Sequence, residues 1–573
     1  MVPRMNPHLP RLALGVLLLV MTGLMLGPMW EETATVDETT FIGGGYGYWR
    51  TGSAKMAEEN PLLGCLIMAA PMLAFDVQIS EPARAVMEGR AFAPVAWPWF
   101  GPPRRFEELF PTGANWYHYG LAEAQYFGQV LVYDPKNPAD RIMFWSRATQ
   151  LLLTLGTAVF VFFWARQLTG HDGAGVLAAG LWGLSPVTLG YGHLAIAEPG
   201  VTLLFPVVLW WLTRTLAAPS RRNWFVLGGL TAVAMGMKHL AIMFGPIFVV
   251  ALAVWWWRER SLPSPACAAQ RIGMLALGFW VITLLMFIPN WSAPPPLEPA
   301  AAKALNVPAW FQTFRPLLIP RDFFKAVTLK VLHSQAGHNA YLLGQWSETG
   351  WWYYFPAVIL FKTPVPMLAL MLVGAALALR RVRQLPFAAL VPWLAAAVYV
   401  LAALPNKVSI GVRHMYPIYP LLAVGIADQL FRAGKRWQIA GWAGTGLVAV
   451  IAVFSYPHFI SYCNEFAGGT KNGYRVVIDS NYDWGQDGKR LQAWMQQNNV
   501  PHVYLDYFGT QASIEWHQIP NTRINAEQAR QLRAGWLVVS VSQLMRPEWD
   551  WLRQARPTPD ARIAYTLFAY RLD

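Results

Sequence analysis

Long apolar runs, each closed by a short polar or basic stretch, recur from Leu12 to Tyr456 and then give way to a polar tail. A bilayer core about 30 Å thick needs a helix of about 20 apolar residues. Runs of that kind predict spans at 12–30, 144–164, 174–194, 199–216, 223–237, 240–257, 273–292, 354–379, 385–404, 415–431 and 437–456, about eleven crossings in all. Leu62–Phe75 is apolar but too short to cross easily, which predicts a helix lying against the membrane surface. It falls in a long first loop, 31–143. A second long loop, 293–353, opens on the stiff Pro294-Pro295-Pro296 turn, and proline and alanine dominate 293–304. From Pro457 onward short β-type runs, Val503–Phe508, Trp536–Val541 and Arg562–Tyr570, alternate with polar helical stretches such as Asp487–Asn498. The expected architecture is a polytopic α-helical membrane module over 1–456 and a small α/β domain over 457–573. No internal repeat at a fixed period is visible, so the sequence does not point to a transporter built from inverted repeats.

Composition agrees: 55% of the chain is hydrophobic and only 13% charged, against about 25% charged in soluble domains. The net charge of +13 raises the question of nucleic acid, and its position answers it. With the amino terminus inside, the cytoplasmic segments collect Arg4, Arg11, Arg166, Arg214, Arg221, Arg222, Arg258, Arg260, Arg271, Arg380, Arg381, Arg383, Arg432, Lys435 and Arg436 against only Asp172, Glu259 and Asp428. That excess accounts for nearly the whole net charge and marks membrane topology and anionic headgroups, with no support for nucleic acid as a partner. An odd number of crossings then places the tail outside, as expected of a multi-pass inner-membrane protein. The first span follows basic residues as a signal peptide does, but it is long, lacks a small-residue cleavage site and runs into Pro28, Met29 and Trp30, so an uncleaved anchor is expected. Cys65, Cys267 and Cys463 show neither a disulfide framework nor zinc spacing.

The same parity gathers the chemistry-bearing residues at the outer face. Asp37-Glu38 follows the first span; a carboxylate in a partly desolvated cleft can act as a general base, although helix capping is an equal explanation for the pair. Glu198 lies at the tip between the third and fourth spans, where Pro199 also fits the first turn of the next helix. Lys238, Lys362, Arg413 and His414 supply cations near that face, suited to a phosphate through charge-assisted hydrogen bonds, while snorkelling to headgroups competes for each one singly. In HSQAGHNAYLLGQWSETGWWYY, starting at His333, the residues His338, Tyr341, Trp351 and Trp352 combine polar groups with aromatic faces. Such a segment serves as a membrane belt and equally as a platform for sugar rings. Asp479–Asp487 imitates a calcium loop, but Trp484 stands where the glycine belongs and Arg490 where the bidentate glutamate belongs. An ordered Asx-turn network is expected there instead. No spacing dictates a complete metal shell, and a divalent cation is left open as a cofactor.

In order along the chain, Asp37-Glu38, Tyr46–Gly52, Asn60–Leu63, His193–Pro199, Gly337-His338, Gly350–Pro356, Gly411–Pro417 and Asp479–Asp487 resemble the GT-C membrane glycosyltransferases related to protein O-mannosyltransferases and the lipid A aminoarabinose transferase. The resemblance is nearest to their bacterial phospholipid-carrier-dependent branch. It implies a GT-C fold and an inverting enzyme that moves a sugar from a polyprenyl-phosphate donor to a lipid, glycan or protein acceptor. It also implies that Asp37 is the base, supported by Glu38. The family tip carries aspartate where this chain has Glu198 followed by proline. Two readings of other classes compete: a polyprenyl-lipid flippase without catalysis, which expects acids near the bilayer midplane, and an idle scaffold whose tail recruits partners.

Overall fold

Six helices are long and apolar enough to cross a membrane among the described residues: Leu9–Glu31, Ala139–Thr169, Glu198–Ala217, His239–Glu259, Pro265–Phe287 and Lys435–Ser455. The structure is a computed structural model that describes residues 8–57, 60–88, 116–259, 263–287 and 320–572, with 308 and 310. The Pro294-Pro295-Pro296 turn lies outside the described residues, and the loops 31–143 and 293–353 are described only in part.

The expected number of crossings is not reproduced by helix length alone. The run at 174–194 is two helices, Asp172–Gly183 and Pro186–Tyr191, interrupted at Ser185-Pro186. The run at 354–379 is likewise split at Thr363-Pro364 into Tyr354–Lys362 and Val365–Arg380. The cause is the same in both: proline lacks the N–H that would continue the ladder and crowds the preceding turn. At 62–75 a short helix, Leu62–Ala69, runs into a 3-10 turn, Ala70–Ala74. Leu62, Cys65 and Met68 are buried there.

The segment that carries Asp37 is held by backbone-to-backbone packing. Its helix, Glu38–Thr51, contains Gly43-Gly44-Gly45. A Cβ on Gly43 would stand 2.6 Å from the Cα of Gly128 in the Trp116–Val132 helix, and one on Gly45 would overlap the carbonyl of Cys65. Small residues permit such close approach where helices lack a large hydrophobic driving force.

The tail builds a five-stranded sheet of order β4-β3-β5-β7-β6 from β3 (Val503–Asp506), β4 (Asn521–Arg523), β5 (Gly535–Ser540), β6 (Ala561–Ile563) and β7 (Leu567–Leu572). Strand β3 pairs in parallel with β4 and β5, with short helices in the connections, and β7 pairs antiparallel with β5 and β6. The run Arg562–Tyr570 is therefore parts of two strands and the turn between them. A two-stranded hairpin, β1 (Ala340–Leu342) and β2 (Gln345–Ser347), leans on this domain: Leu343 N–H donates to the Val476 carbonyl at 2.9 Å and Trp346 Nε1 to the Met545 carbonyl at 2.9 Å.

Candidate active site

Asp37 takes the N-cap position of the Glu38–Thr51 helix, yet its side chain makes no cap hydrogen bond. Its carboxylate instead accepts from Arg413 at 2.8 Å and stays 28% exposed, the most open group of the cluster. Arg413 belongs to a 3-10 turn, Val412–Met415, and the same NH1 reaches Glu198 at 3.6 Å. Glu198 opens the Glu198–Ala217 helix, fully buried, and is paired with Lys238, which follows the Arg221–Met237 helix. A continuous chain, Asp37–Arg413–Glu198–Lys238, thus joins four segments distant in sequence. Glu198 Oε2, Arg413 Nε and His414 Nε2 are buried without a protein partner among the described residues. Buried polar atoms of native proteins are almost always partnered, so a trio of open ones in one cluster is what a site for a polar ligand presents. Burial, reinforced by Lys238 and Arg413, holds the His414 imidazole well below its ordinary range, hence neutral.

Glu38, next in sequence, does different work. Its carboxylate accepts from Arg147 Nε and NH2, both at 2.8 Å, from the Ala195 N–H at 2.8 Å and from the Thr35 N–H at 2.8 Å. Arg147 uses its remaining N–H groups on the Met29, Glu32 and Thr33 carbonyls at 2.9, 2.9 and 3.0 Å. Neither side chain is exposed at all. Burial pushes the Glu38 carboxyl up, but the Arg147 charge and these hydrogen bonds outweigh it and hold the group below the usual glutamate value. Glu38 touches no open space and acts by shaping the turn on which Asp37 sits. Arg147 was not singled out in the sequence, although a lone arginine inside an apolar run is the signal that marks it.

The other expected residues divide. Lys362 stands apart from the cluster: its buried ammonium donates to the carbonyls of Ile460, at 2.8 Å, Tyr462 and Asn481, which uses all three donors. Tyr341 is buried in the hairpin, with its hydroxyl on the Arg475 carbonyl at 3.2 Å and its ring edge-on to Trp346. Trp351 is half-buried against the core, whereas His338 and Trp352 are exposed, Trp352 at 68%. The exposed pair is the more open to a ligand from outside. Among the described residues no group of three or more His, Cys, Asp and Glu side chains is arranged to hold a metal.

Fold and site together define a helical membrane protein with an ionic cluster gathered where several helices end. No family model and no curated protein matches the chain. Among solved structures it is similar to ArnT from Cupriavidus metallidurans bound to undecaprenyl phosphate, with 13% identity, a TM-score of 0.44 and 97% of each chain covered. The apo state of the same protein gives 13% identity and a TM-score of 0.43 over the same share of both chains. The archaeal oligosaccharyltransferase AglB from Archaeoglobus fulgidus, in complex with an inhibitory peptide and a dolichol-phosphate, gives 12% identity and a TM-score of 0.42 over 93% of this chain and 69% of that one. ArnT, the lipid A aminoarabinose transferase, and AglB are both GT-C glycosyltransferases.

Proposed function

We propose that this protein is an inverting glycosyltransferase that moves a sugar from a polyprenyl-phosphate carrier to an acceptor hydroxyl at the outer face of the cytoplasmic membrane. The observation that carries the reading is the Asp37–Arg413–Glu198–Lys238 chain: two acids and two cations from distant segments, with one acid partly exposed. Arg413, Lys238 and the neutral imidazole of His414 suit a phosphate, and Glu198 keeps the two cations together. When a phosphate takes the Arg413 guanidinium, Asp37 is released toward the acceptor. Asp37 then removes the hydroxyl proton, the acceptor oxygen bonds to the anomeric carbon, and the carbon–oxygen bond to the phosphate breaks. The electron pair leaves on the carrier phosphate, whose charge the same cations stabilise. His338 and Trp352 are available to contact the sugar or the acceptor from the outside.

Radiolabelled sugar counted from lipid donor to acceptor in membranes tests this reading. Asp37→Asn should abolish transfer while leaving donor binding in place, and Arg413→Ala should weaken donor binding by roughly tenfold or more. Transfer by Asp37→Asn at the wild-type rate would remove the proposed base. Movement of the carrier lipid across the bilayer without bond formation would instead favour a flippase.

A further inference from the structure

The loop 480–487 belongs to the tail, yet every residue in it is buried, and much of what buries it is the membrane module. Ser480 donates through Oγ to the Ile410 carbonyl at 2.6 Å, and its own carbonyl accepts from the Tyr191 hydroxyl at 2.6 Å. The amide of Asn481 accepts from the Val412 N–H at 2.8 Å and donates to the Tyr354 hydroxyl at 2.9 Å. These bonds grip the segment that leads into Arg413. On the other side the Trp484 carbonyl accepts from the Val36 N–H at 3.2 Å, and the Gln486 carbonyl from the Thr33 N–H at 3.0 Å, which grips the turn that leads into Asp37. Between the two grips lies the Trp484 indole, 2% exposed, with the Arg413 guanidinium 4.2 Å above its ring centre. The loop is braced internally: Gln486 Oε1 accepts from the Trp484 N–H at 2.7 Å, and its amide nitrogen donates to the Tyr482 carbonyl at 3.0 Å.

We infer that Trp484 is a positioning residue of the active site, a tail side chain whose indole face holds the Arg413 guanidinium in the orientation that reaches both Asp37 and Glu198. The physical case is one of degrees of freedom. A guanidinium on a long flexible side chain meets two carboxylates at once only if its plane is fixed, and a flat aromatic face fixes it by cation–π attraction without competing for its N–H donors. No other aromatic ring is recorded against Arg413 among the described residues. The carboxyl-terminal domain is on this account part of the catalytic apparatus. The inference rests on the transferase reading for its kinetic consequences and on geometry alone for the rest.

The test compares Trp484→Leu with Trp484→Phe in the full-length protein. Both keep the backbone bond to Val36; only phenylalanine keeps an aromatic face. Trp484→Leu should lower kcat by roughly tenfold, Trp484→Phe should restore most of the loss, and Trp484→Leu added to Arg413→Ala should cost nothing further, since it acts through that guanidinium. Phenylglyoxal labelling of Arg413, read by mass spectrometry, follows the same guanidinium without turnover and should rise in Trp484→Leu but not in Trp484→Phe. Wild-type kcat in Trp484→Leu, equal loss in both variants, or full additivity with Arg413→Ala overturns the role. If the wild-type protein transfers no sugar at all, the transferase reading fails, and the labelling comparison alone decides the positioning role: unchanged labelling overturns it and increased labelling sustains it.

Discussion

Glu38 and Arg147 form an ion pair with no water contact, and every hydrogen-bonding position of both side chains is taken by the protein. Removal of one partner leaves an uncompensated buried charge, which costs about 3–5 kcal/mol. Arg147→Met should therefore lower the thermal midpoint of the detergent-solubilised protein steeply, and Glu38→Gln added to it should recover part of the loss. A wild-type midpoint in the single variant would contradict the pairing. The same pair shows what is legible one residue at a time. Asp37, Glu198, Lys238 and Arg413 could be selected in the sequence because helix parity put them on one face. That Glu38 pairs with an arginine 109 positions away is a tertiary fact with no local trace. Lys362 illustrates the reverse error: a cation at the expected face, whose ammonium is committed to three backbone carbonyls that no pattern reveals.

At the scale of elements, the apolar runs located the long helices well; 144–164 falls within Ala139–Thr169 and 437–456 nearly coincides with Lys435–Ser455. Hydropathy is blind to a break inside an apolar run, and so Ser185-Pro186 and Thr363-Pro364 passed as continuous spans although both prolines were in view. The glycine triplet could be read only as unusual composition, since the carbonyl that approaches Gly45 belongs to another element. The packing makes a sharp contrast between glycines. Gly45→Ala must push the Cβ into the Cys65 carbonyl, whereas the same change at Gly23, in the first helix, meets nothing within 4 Å. Gly45→Ala should destabilise the protein and displace Asp37, with loss of transfer, while Gly23→Ala should be neutral or add up to about 1 kcal/mol of stability. Thermal midpoints of the two variants side by side check this, and equal midpoints would contradict the packing account.

For the whole molecule the decisive question is how firmly the tail is seated, because its loop 480–487 walls the site. Ionic contacts at its rim, Lys489 with Asp140 at 2.7 Å and Arg490 with Glu31 at 3.4 Å, are partly exposed and individually weak. Two buried acids, both bonded within the tail, make the tail's own stability depend on pH. Burial drives Asp483 from an ordinary 3.8 up to about 7, although its carboxylate accepts from the Ser542 N–H at 2.9 Å. Burial likewise drives Asp506 in β3 up to about 6, against hydrogen bonds from Trp549 and Gln543, each 3.0 Å. In both cases the folded state binds its proton more tightly than the unfolded chain does. The stability they contribute is therefore complete below about pH 4 and is lost as the pH rises through 6 and then 7, a decline of up to about 4 kcal/mol for Asp483. Glu38 acts in the opposite sense in more acid solution, and the imidazoles of His414, His458 and His517, all held low by burial, act in that same opposite sense up to about pH 6.5, so a comparison with a variant that cannot ionise at 483 is what isolates Asp483. Asp483→Asn, which keeps an acceptor for Ser542 and cannot ionise, should gain thermal midpoint relative to the wild type as the pH rises from 5 to 8 and be the more stable form at pH 8. A variant whose midpoint follows the wild type's at every pH from 5 to 8 would show that Asp483 carries its charge in the fold at no cost.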